Sequence, residues 1–120
     1  MTAVPTIPEM MKITVARTQK WNGLESWSTL EWCGAMCGEA GEAANIAKKI
    51  RRHDAEVWNG HPTRYNLLSR DGLKEKLAQE LADTFIYILL CAAKENIDLE
   101  GAIVKYFNQK SREAGFTERF

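Results

Sequence analysis

Two segments of the chain each carry a pair of acidic side chains three residues apart, Glu39 with Glu42 and Glu80 with Asp83. On a helix, residues i and i+3 share one face. Helical projection surrounds these pairs with the residues Trp32, Ala35, Ile46, Leu73, Leu77, Thr84, Tyr87 and Cys91. Both acid pairs therefore lie on faces that otherwise predict a hydrophobic core.

Carboxylates on such faces need a partner. Acidic side chains are almost never fully buried alone, and four that face one another repel and raise their own pKa values. A divalent cation removes both problems, and oxygen ligands suit Mg²⁺, Mn²⁺ or Ca²⁺. One acid pair at this spacing is common on solvated helices, but two pairs inside apolar stripes favour a metal site. Its predicted ligands, and the predicted catalytic residues, are Glu39, Glu42, Glu80 and Asp83.

The length and charge of the chain narrow the possible classes of protein. A chain of 120 residues corresponds to a single domain, 1–120. Lys plus Arg and Asp plus Glu both number 16, so no net charge attracts nucleic acid or anionic lipid. The longest apolar run, 85–93, is too short to span a bilayer, and no secretory signal pattern is visible. We expect a protein that binds neither nucleic acid nor membrane.

The cysteines indicate a reducing compartment. The chain has an odd number of cysteines, Cys33, Cys37 and Cys91, and no two of them form a C-x-x-C pair. This pattern does not predict a disulfide framework. Buried thiols that act as small hydrophobic groups explain them better. We therefore expect a cytoplasmic location.

Capping signals divide the chain into four predicted helices. Residues 6–9 and 28–31 resemble capping boxes, Asp71 and Asp98 are predicted N-caps, and Gly115 is a predicted C′ residue. The helices are expected to end at about residues 20, 52, 95 and 114. No segment has the period of a strand, so the predicted class is all-α, a four-helix, bundle-like domain.

The predicted helices also have predicted inner and outer faces. The third is apolar nearly all round over 84–93, which indicates a central buried helix. Gly34, Gly38 and Gly41 form a strip on the second helix, where close packing against another helix and room for a ligand are both expected. On the fourth helix the predicted buried residues are Leu99, Ala102, Ile103, Tyr106 and Phe107, and the predicted polar stripe is Lys105, Asn108 and Arg112.

Two connections contain candidate ligand-binding side chains. Trp27 precedes the second helix, where it is either a core residue or a surface on which a base stacks. The long connection 53–70 is either functional or a solvated excursion. Its candidate contacts to phosphate or base are Trp58, Arg64, Tyr65 and Arg70. His53 and His61 lack the spacing of a zinc site.

Three blocks of sequence resemble the all-α nucleoside triphosphate pyrophosphatase superfamily, in particular MazG-like proteins and dCTP pyrophosphatases. The blocks are Gly-Glu-Ala-Gly-Glu-Ala at 38–43, Glu-Leu-Ala-Asp-Thr-Phe-Ile-Tyr at 80–87, and Lys-Tyr-Phe-Asn-Gln-Lys-Ser-Arg-Glu-Ala-Gly-Phe at 105–116. The resemblance covers about residues 25–117. Many members have two adjacent acids before the equivalent of Glu39, whereas this chain has Gly38 there, as the dCTP pyrophosphatase group does.

The resemblance implies a MazG-type fold in a homodimer or homotetramer, with sites built partly across subunits. It implies cleavage of a (d)NTP between the α and β phosphates, giving (d)NMP and pyrophosphate, with Mg²⁺ that Mn²⁺ can replace. A role in nucleotide-pool control or house-cleaning would follow. The implied metal ligands are the four acids already described. Lys105 and Asn108 match positions that contact phosphate and nucleotide, and Arg112 is a further candidate.

The residues leave three other functions open. A di-iron carboxylate bundle needs E-x-x-H on two helices, but here Glu42 and Asp83 occupy the positions of the histidines. A phosphoribosyl-ATP pyrophosphohydrolase would share the fold and the ion. A non-enzymatic helical interaction module would bind no Mg²⁺. In a hydrolase, either Glu39 or Glu42 could orient or deprotonate the attacking water.

Overall fold

In the computed structural model, which describes residues 3–55 and 69–120, the chain forms four α-helices and one short 3₁₀ turn. The helices are α1 (Ile7–Thr18), α2 (Thr29–Asp54), α3 (Arg70–Lys94) and α4 (Leu99–Ala114), and the 3₁₀ turn is Leu24–Ser26. No strand occurs within the described ranges. The all-α prediction is therefore confirmed for that part of the chain, and each predicted helix lies close to its expected place.

Several helix ends follow from local side-chain chemistry. The Thr6 hydroxyl accepts a hydrogen bond from the Glu9 backbone N–H at 3.3 Å, and the Glu9 carboxylate accepts one from the Thr6 N–H at 3.2 Å. This reciprocal pair is the predicted capping box of α1. Asp98 caps α4 by accepting from the Gly101 N–H at 3.0 Å. The predicted caps of α1 and α4 are thus confirmed.

The predicted cap of α3 is wrong by two residues. The Ser69 hydroxyl, not Asp71, accepts a hydrogen bond from the backbone N–H of Gly72, at 3.0 Å. Serine and aspartate are about equally good N-caps, so residue type alone does not favour Asp71 over Ser69. Because α3 begins at Arg70, Asp71 lies inside its first turn, where its negative charge interacts favourably with the helix dipole.

The chain divides into two compact units, of which one consists of residues up to Leu30 together with Leu89–Phe120. In this unit α1 packs against α4. Thr14 and Thr18 are buried on α1, and the Thr18 hydroxyl donates to the Thr14 carbonyl oxygen at 2.9 Å. This bond satisfies the buried hydroxyl of Thr18 within its own helix.

The other unit is Glu31–Ile88, which contains most of α2 and α3. The rings of Trp32 and Tyr87 lie 6.2 Å apart between centroids, and at the opposite end Arg70 Nε donates to Asp54 Oδ1 at 2.9 Å. The early residue of α2 thus meets a late residue of α3, and the last residue of α2 meets the first of α3. The two helices therefore run antiparallel.

Two predictions about helix faces are wrong for this chain. Tyr106 and Phe107 of α4 are 54% and 41% exposed instead of buried. Apart from its chain neighbours and the nearby backbone of α2, a Cβ placed on Gly34, Gly38 or Gly41 would meet no atom within 4 Å. No other helix of the described chain therefore packs closely on this strip. Periodicity identifies which residues share a face, but it does not identify what covers that face.

The C-terminal part of α3 agrees better with expectation. Leu89, Leu90 and Ala92 are buried, and no residue from Thr84 to Ala93 is fully exposed. None of the described helices combines the length and the apolar character needed to cross a membrane.

Candidate functional site

Three of the four predicted acidic ligands come together between α2 and α3. One carboxylate oxygen from each of Glu39, Glu80 and Asp83 lies within 4.8 Å of the others. Glu39 and Glu80 are half-buried and Asp83 is exposed. We refer to these three residues as the acidic cluster. It lies wholly within the unit Glu31–Ile88.

A seven-residue spacing places Glu39 on the inner face of α2. Trp32, Glu39 and Ile46 are seven residues apart, which is close to two helical turns, and both flanking residues are buried. The carboxylate therefore lies in the same stripe as the core side chains. Such a position removes part of the water that would otherwise solvate its charge.

The same spacing recurs on α3. Leu73, Glu80 and Tyr87 are also seven residues apart, Leu73 is almost fully buried, and Tyr87 contacts the ring of Trp32. Beside Glu80, the Thr84 hydroxyl donates to the Glu80 backbone carbonyl at 2.7 Å. This bond satisfies the threonine hydroxyl without using the Glu80 carboxylate.

Burial and the crowding of like charges both raise pKa values in the cluster. Burial raises the pKa of Glu39, with a further increase from the charge of Glu42. Burial likewise raises the pKa of Glu80, and hydrogen bonding with Glu42 and the negative charge of Glu42 bring it from 4.5 to about 6. Both half-buried carboxylates of the cluster thus have raised pKa values, first because burial disfavours their charged forms and then because neighbouring carboxylates add negative charge.

One oxygen of the cluster has no hydrogen-bond partner. Glu80 Oε2 is buried, and among the described residues no donor reaches it. Buried polar atoms are satisfied in the great majority of cases, and an exception needs an explanation such as a bound ion. An oxygen of this kind, next to two further carboxylates, matches the donor set that Mg²⁺ and Mn²⁺ prefer.

Glu42 differs from the other predicted ligands. Its side chain is exposed and does not belong to the group of oxygens within 4.8 Å. It nevertheless lies close enough to Glu39 and Glu80 to raise the pKa of both. A direct bond from Glu42 to a metal stays a prediction.

The remaining predicted site residues belong to other parts of the chain. Trp27 lies in the unit that contains α1 and α4, where it is half-buried. Lys105 is exposed, with its ammonium 5.2 Å from the centroid of the Tyr106 ring, and Arg112 is exposed in the last turn of α4. Arg70 pairs with Asp54. Trp58, Arg64 and Tyr65 lie outside the described residues.

Sequence reasoning missed one contact of a predicted site residue. The Oδ1 atom of Asn108 accepts a hydrogen bond from the backbone N–H of Phe120 at 2.9 Å. Twelve residues separate the two, so no helical period relates them. Gly115, the predicted C′ residue, was the one signal, because a left-handed residue at a helix end also changes the direction of the chain.

Comparison of the chain with protein-family models, with curated proteins and with solved structures returns no match.

Proposed function

We propose that this protein is a Mg²⁺-dependent nucleoside triphosphate pyrophosphohydrolase, which cleaves a (d)NTP between the α and β phosphates to (d)NMP and pyrophosphate. The observation that carries this proposal is the acidic cluster of Glu39, Glu80 and Asp83, with its buried, unsatisfied Glu80 oxygen. The acid motifs on α2 and α3, and their resemblance to the all-α pyrophosphatases, give the substrate class.

The acidic cluster would hold the metal ion. Glu39, Glu80 and Asp83 each offer one oxygen, and Mn²⁺ can take the place of Mg²⁺ in such a donor set. When bound, the ion would neutralise phosphate charge and lower the pKa of a bound water. Glu39 and Glu80 would hold it in their ionised forms, and its positive charge would offset the burial and the repulsion that raise their pKa values.

Glu42 is assigned the role of general base. It is exposed beside the cluster instead of within it, so water can reach its carboxylate and pass a proton to it. Glu39, the alternative base, is one of the three converging ligands, which makes it less suited to this role.

The substrate contacts are assigned by resemblance. Lys105 would neutralise phosphate charge, Asn108 would hydrogen-bond phosphate or sugar, and Arg112 would add a second cation. Trp27 and Trp58 would provide stacking surfaces for the base. None of the three α4 residues is fully buried, so none of them forms part of the hydrophobic core.

The proposed assembly is a homodimer or homotetramer. The glycine strip of α2 (Gly34, Gly38 and Gly41) is exposed and open, and Leu30 on the same helix is 81% exposed. A second copy could approach such a strip closely. Light scattering at micromolar concentration should give a dimer or a larger species, and a stable active monomer would contradict this assembly.

The decisive experiment is a panel of ordinary and modified (d)NTPs, together with phosphoribosyl-ATP, incubated with Mg²⁺, Mn²⁺ or EDTA. Chromatography should show monophosphate and pyrophosphate with either metal and neither product in EDTA. NDP and free phosphate as the first products would overturn the assignment of the cleaved bond. Absence of turnover, combined with no Mg²⁺ binding in calorimetry, would instead favour a non-enzymatic interaction module.

A further inference from the structure

The chain reverses direction immediately after α4. The Gly115 N–H donates to the Arg112 carbonyl at 3.1 Å, and the Phe116 N–H donates to the Ser111 carbonyl at 2.8 Å. Together with the φ of 78° at Gly115, these bonds form a Schellman motif. A left-handed residue at this point favours glycine. The reversal directs residues 116–120, which we call the returning segment, back along α4.

The returning segment is held on α4 by two contacts of its last residue. The Phe120 ring stacks on the Phe107 ring, with 4.1 Å between centroids and 27° between planes. The Phe120 backbone N–H donates to Asn108 Oδ1 at 2.9 Å. Within the segment, the Arg119 guanidinium donates to the carbonyl oxygens of Phe116 and Glu118, at 2.9 and 2.8 Å, and so stabilises its bend.

These contacts determine which way the Asn108 amide points. A side-chain amide has one acceptor oxygen and two N–H donors. Because the partner is a backbone N–H, the atom that faces Phe120 must be the oxygen. The oxygen is therefore occupied, and the two Nδ2 hydrogens are directed away from Phe120. Among the described residues, no other hydrogen bond of the Asn108 side chain occurs.

We propose that the returning segment is a positioning element for nucleotide binding: Phe120, anchored on Phe107, fixes Asn108 as a hydrogen-bond donor to an oxygen of the substrate. This inference rests on the proposed function, in which Asn108 contacts the nucleotide. Phosphate and ribose oxygens accept hydrogen bonds, so a fixed donor lowers the cost of ordering Asn108 when the substrate binds.

The test compares steady-state kinetics of Phe120→Ala with Phe120→Tyr. Loss of the ring frees the segment and should raise KM about five- to tenfold with little change in kcat, the range expected for one weakened hydrogen bond to a charged ligand. Phe120→Tyr keeps the stacked ring and should restore KM. Thr117→Ala, in the same segment but without a hydrogen bond in the described structure, is the matched control.

Two variants of Asn108 test whether Phe120 acts through it. Asn108→Asp keeps the acceptor for the Phe120 N–H but removes both donors, so nucleotide binding should weaken although the segment stays in place. In Asn108→Ala, the additional substitution Phe120→Ala should have no further effect on KM. Additive effects would show that Phe120 acts elsewhere, and a lower KM in Phe120→Ala would show that the segment blocks the site. Either result overturns the inference.

The side-chain amide of Asn108 gives a readout that does not depend on turnover. In ¹⁵N NMR spectra, its two N–H resonances should shift and broaden in Phe120→Ala but not in Phe120→Tyr. Unchanged Asn108 resonances in Phe120→Ala, beside an active wild-type enzyme, would overturn this inference alone. A wild-type protein that hydrolyses no nucleotide would overturn the proposed function, and with it the substrate role of Asn108, even if the resonances shift as expected.

Discussion

The acidic cluster and the side-chain amide of Asn108 on α4 differ in whether their acceptor oxygens have a hydrogen-bond donor. Glu80 Oε2 is buried without a donor in the described chain, whereas Asn108 Oδ1 has a donor from twelve residues away. The Glu80 oxygen lacks a hydrogen-bond donor among the described residues. The Asn108 amide oxygen already has a donor, and the amide nitrogen offers two N–H donors. Together they teach that an unsatisfied acceptor indicates what binds, and a satisfied one indicates how a side chain is held.

The largest expected effect comes from removing the charge of the unsatisfied acceptor. Glu80→Gln should reduce turnover by at least about a hundredfold, as loss of one group that stabilises transition-state charge does. In EDTA the variant should melt at the wild-type temperature or above it, because one repelling charge is gone. Glu75→Gln, on an exposed position of α3, is the matched control. A strongly destabilised Glu80→Gln would make Glu80 a structural residue.

Metal binding should stabilise the cluster that the chain leaves incomplete. At about a hundredfold excess over Kd, Mg²⁺ adds about 2.7 kcal/mol to the free energy of unfolding. Thermal melts of the wild-type protein in Mg²⁺ and in EDTA should differ by several degrees, and Glu80→Gln should gain much less. Equal melting temperatures for the wild type in Mg²⁺ and in EDTA would show that the acidic cluster binds no Mg²⁺.

The α4 side of the comparison predicts a change in activity without a change in stability. Lys105 is exposed, and its contact with the Tyr106 ring contributes at most about 1 kcal/mol at such a site. Lys105→Ala should therefore leave the melting temperature nearly unchanged, but lower kcat/KM about tenfold if it contacts phosphate. Lys110→Ala on the same helix controls for loss of charge. Full activity of Lys105→Ala would make the polar stripe an ordinary solvated face.

The smallest effect is a pH dependence of the metal-free protein. The pKa of Glu80 rises from 4.5 to about 6 on folding, because burial and Glu42 disfavour its ionised form. The folded state then binds the proton more tightly than the unfolded state, so this contribution to stability is complete below pH 4.5 and is lost as pH rises through about 6.

Urea denaturation in EDTA between pH 4 and 7 tests this sign. The difference in stability between the wild type and Glu80→Gln should move in favour of the variant as pH rises, since the amide does not ionise. A difference that is independent of pH would show that Glu80 titrates normally in the folded protein.

Local signals predicted most of the fold. The caps by Thr6 and Asp98 and the reversal at Gly115 depend on side chains within a few residues, so the sequence specifies them directly. Ser69 and Asp71 show the limit of this reasoning, because both residues can cap and only the three-dimensional start of α3 decides between them.

The site was predictable where helical spacing alone determines it. The three-residue spacing of Glu80 and Asp83 brought both into the cluster with Glu39. Spacing did not reveal that Glu42 lies outside the close group, because that depends on how α2 is rotated toward α3. Nor could it place Phe120 beside Asn108, since the returning segment has no period of its own.

The open glycines of α2 have a consequence for local fluctuations. Each costs up to about 1 kcal/mol of helix propensity relative to alanine, and no close packing within the described chain compensates for it. Gly38 and Gly41 directly precede Glu39 and Glu42. The stretch of α2 that carries the acids should therefore open most readily, with the fastest amide hydrogen exchange in the middle of that helix. A cation that joins Glu39 to α3 would slow this exchange, because metal binding would stabilise the turns of α2 that open most readily.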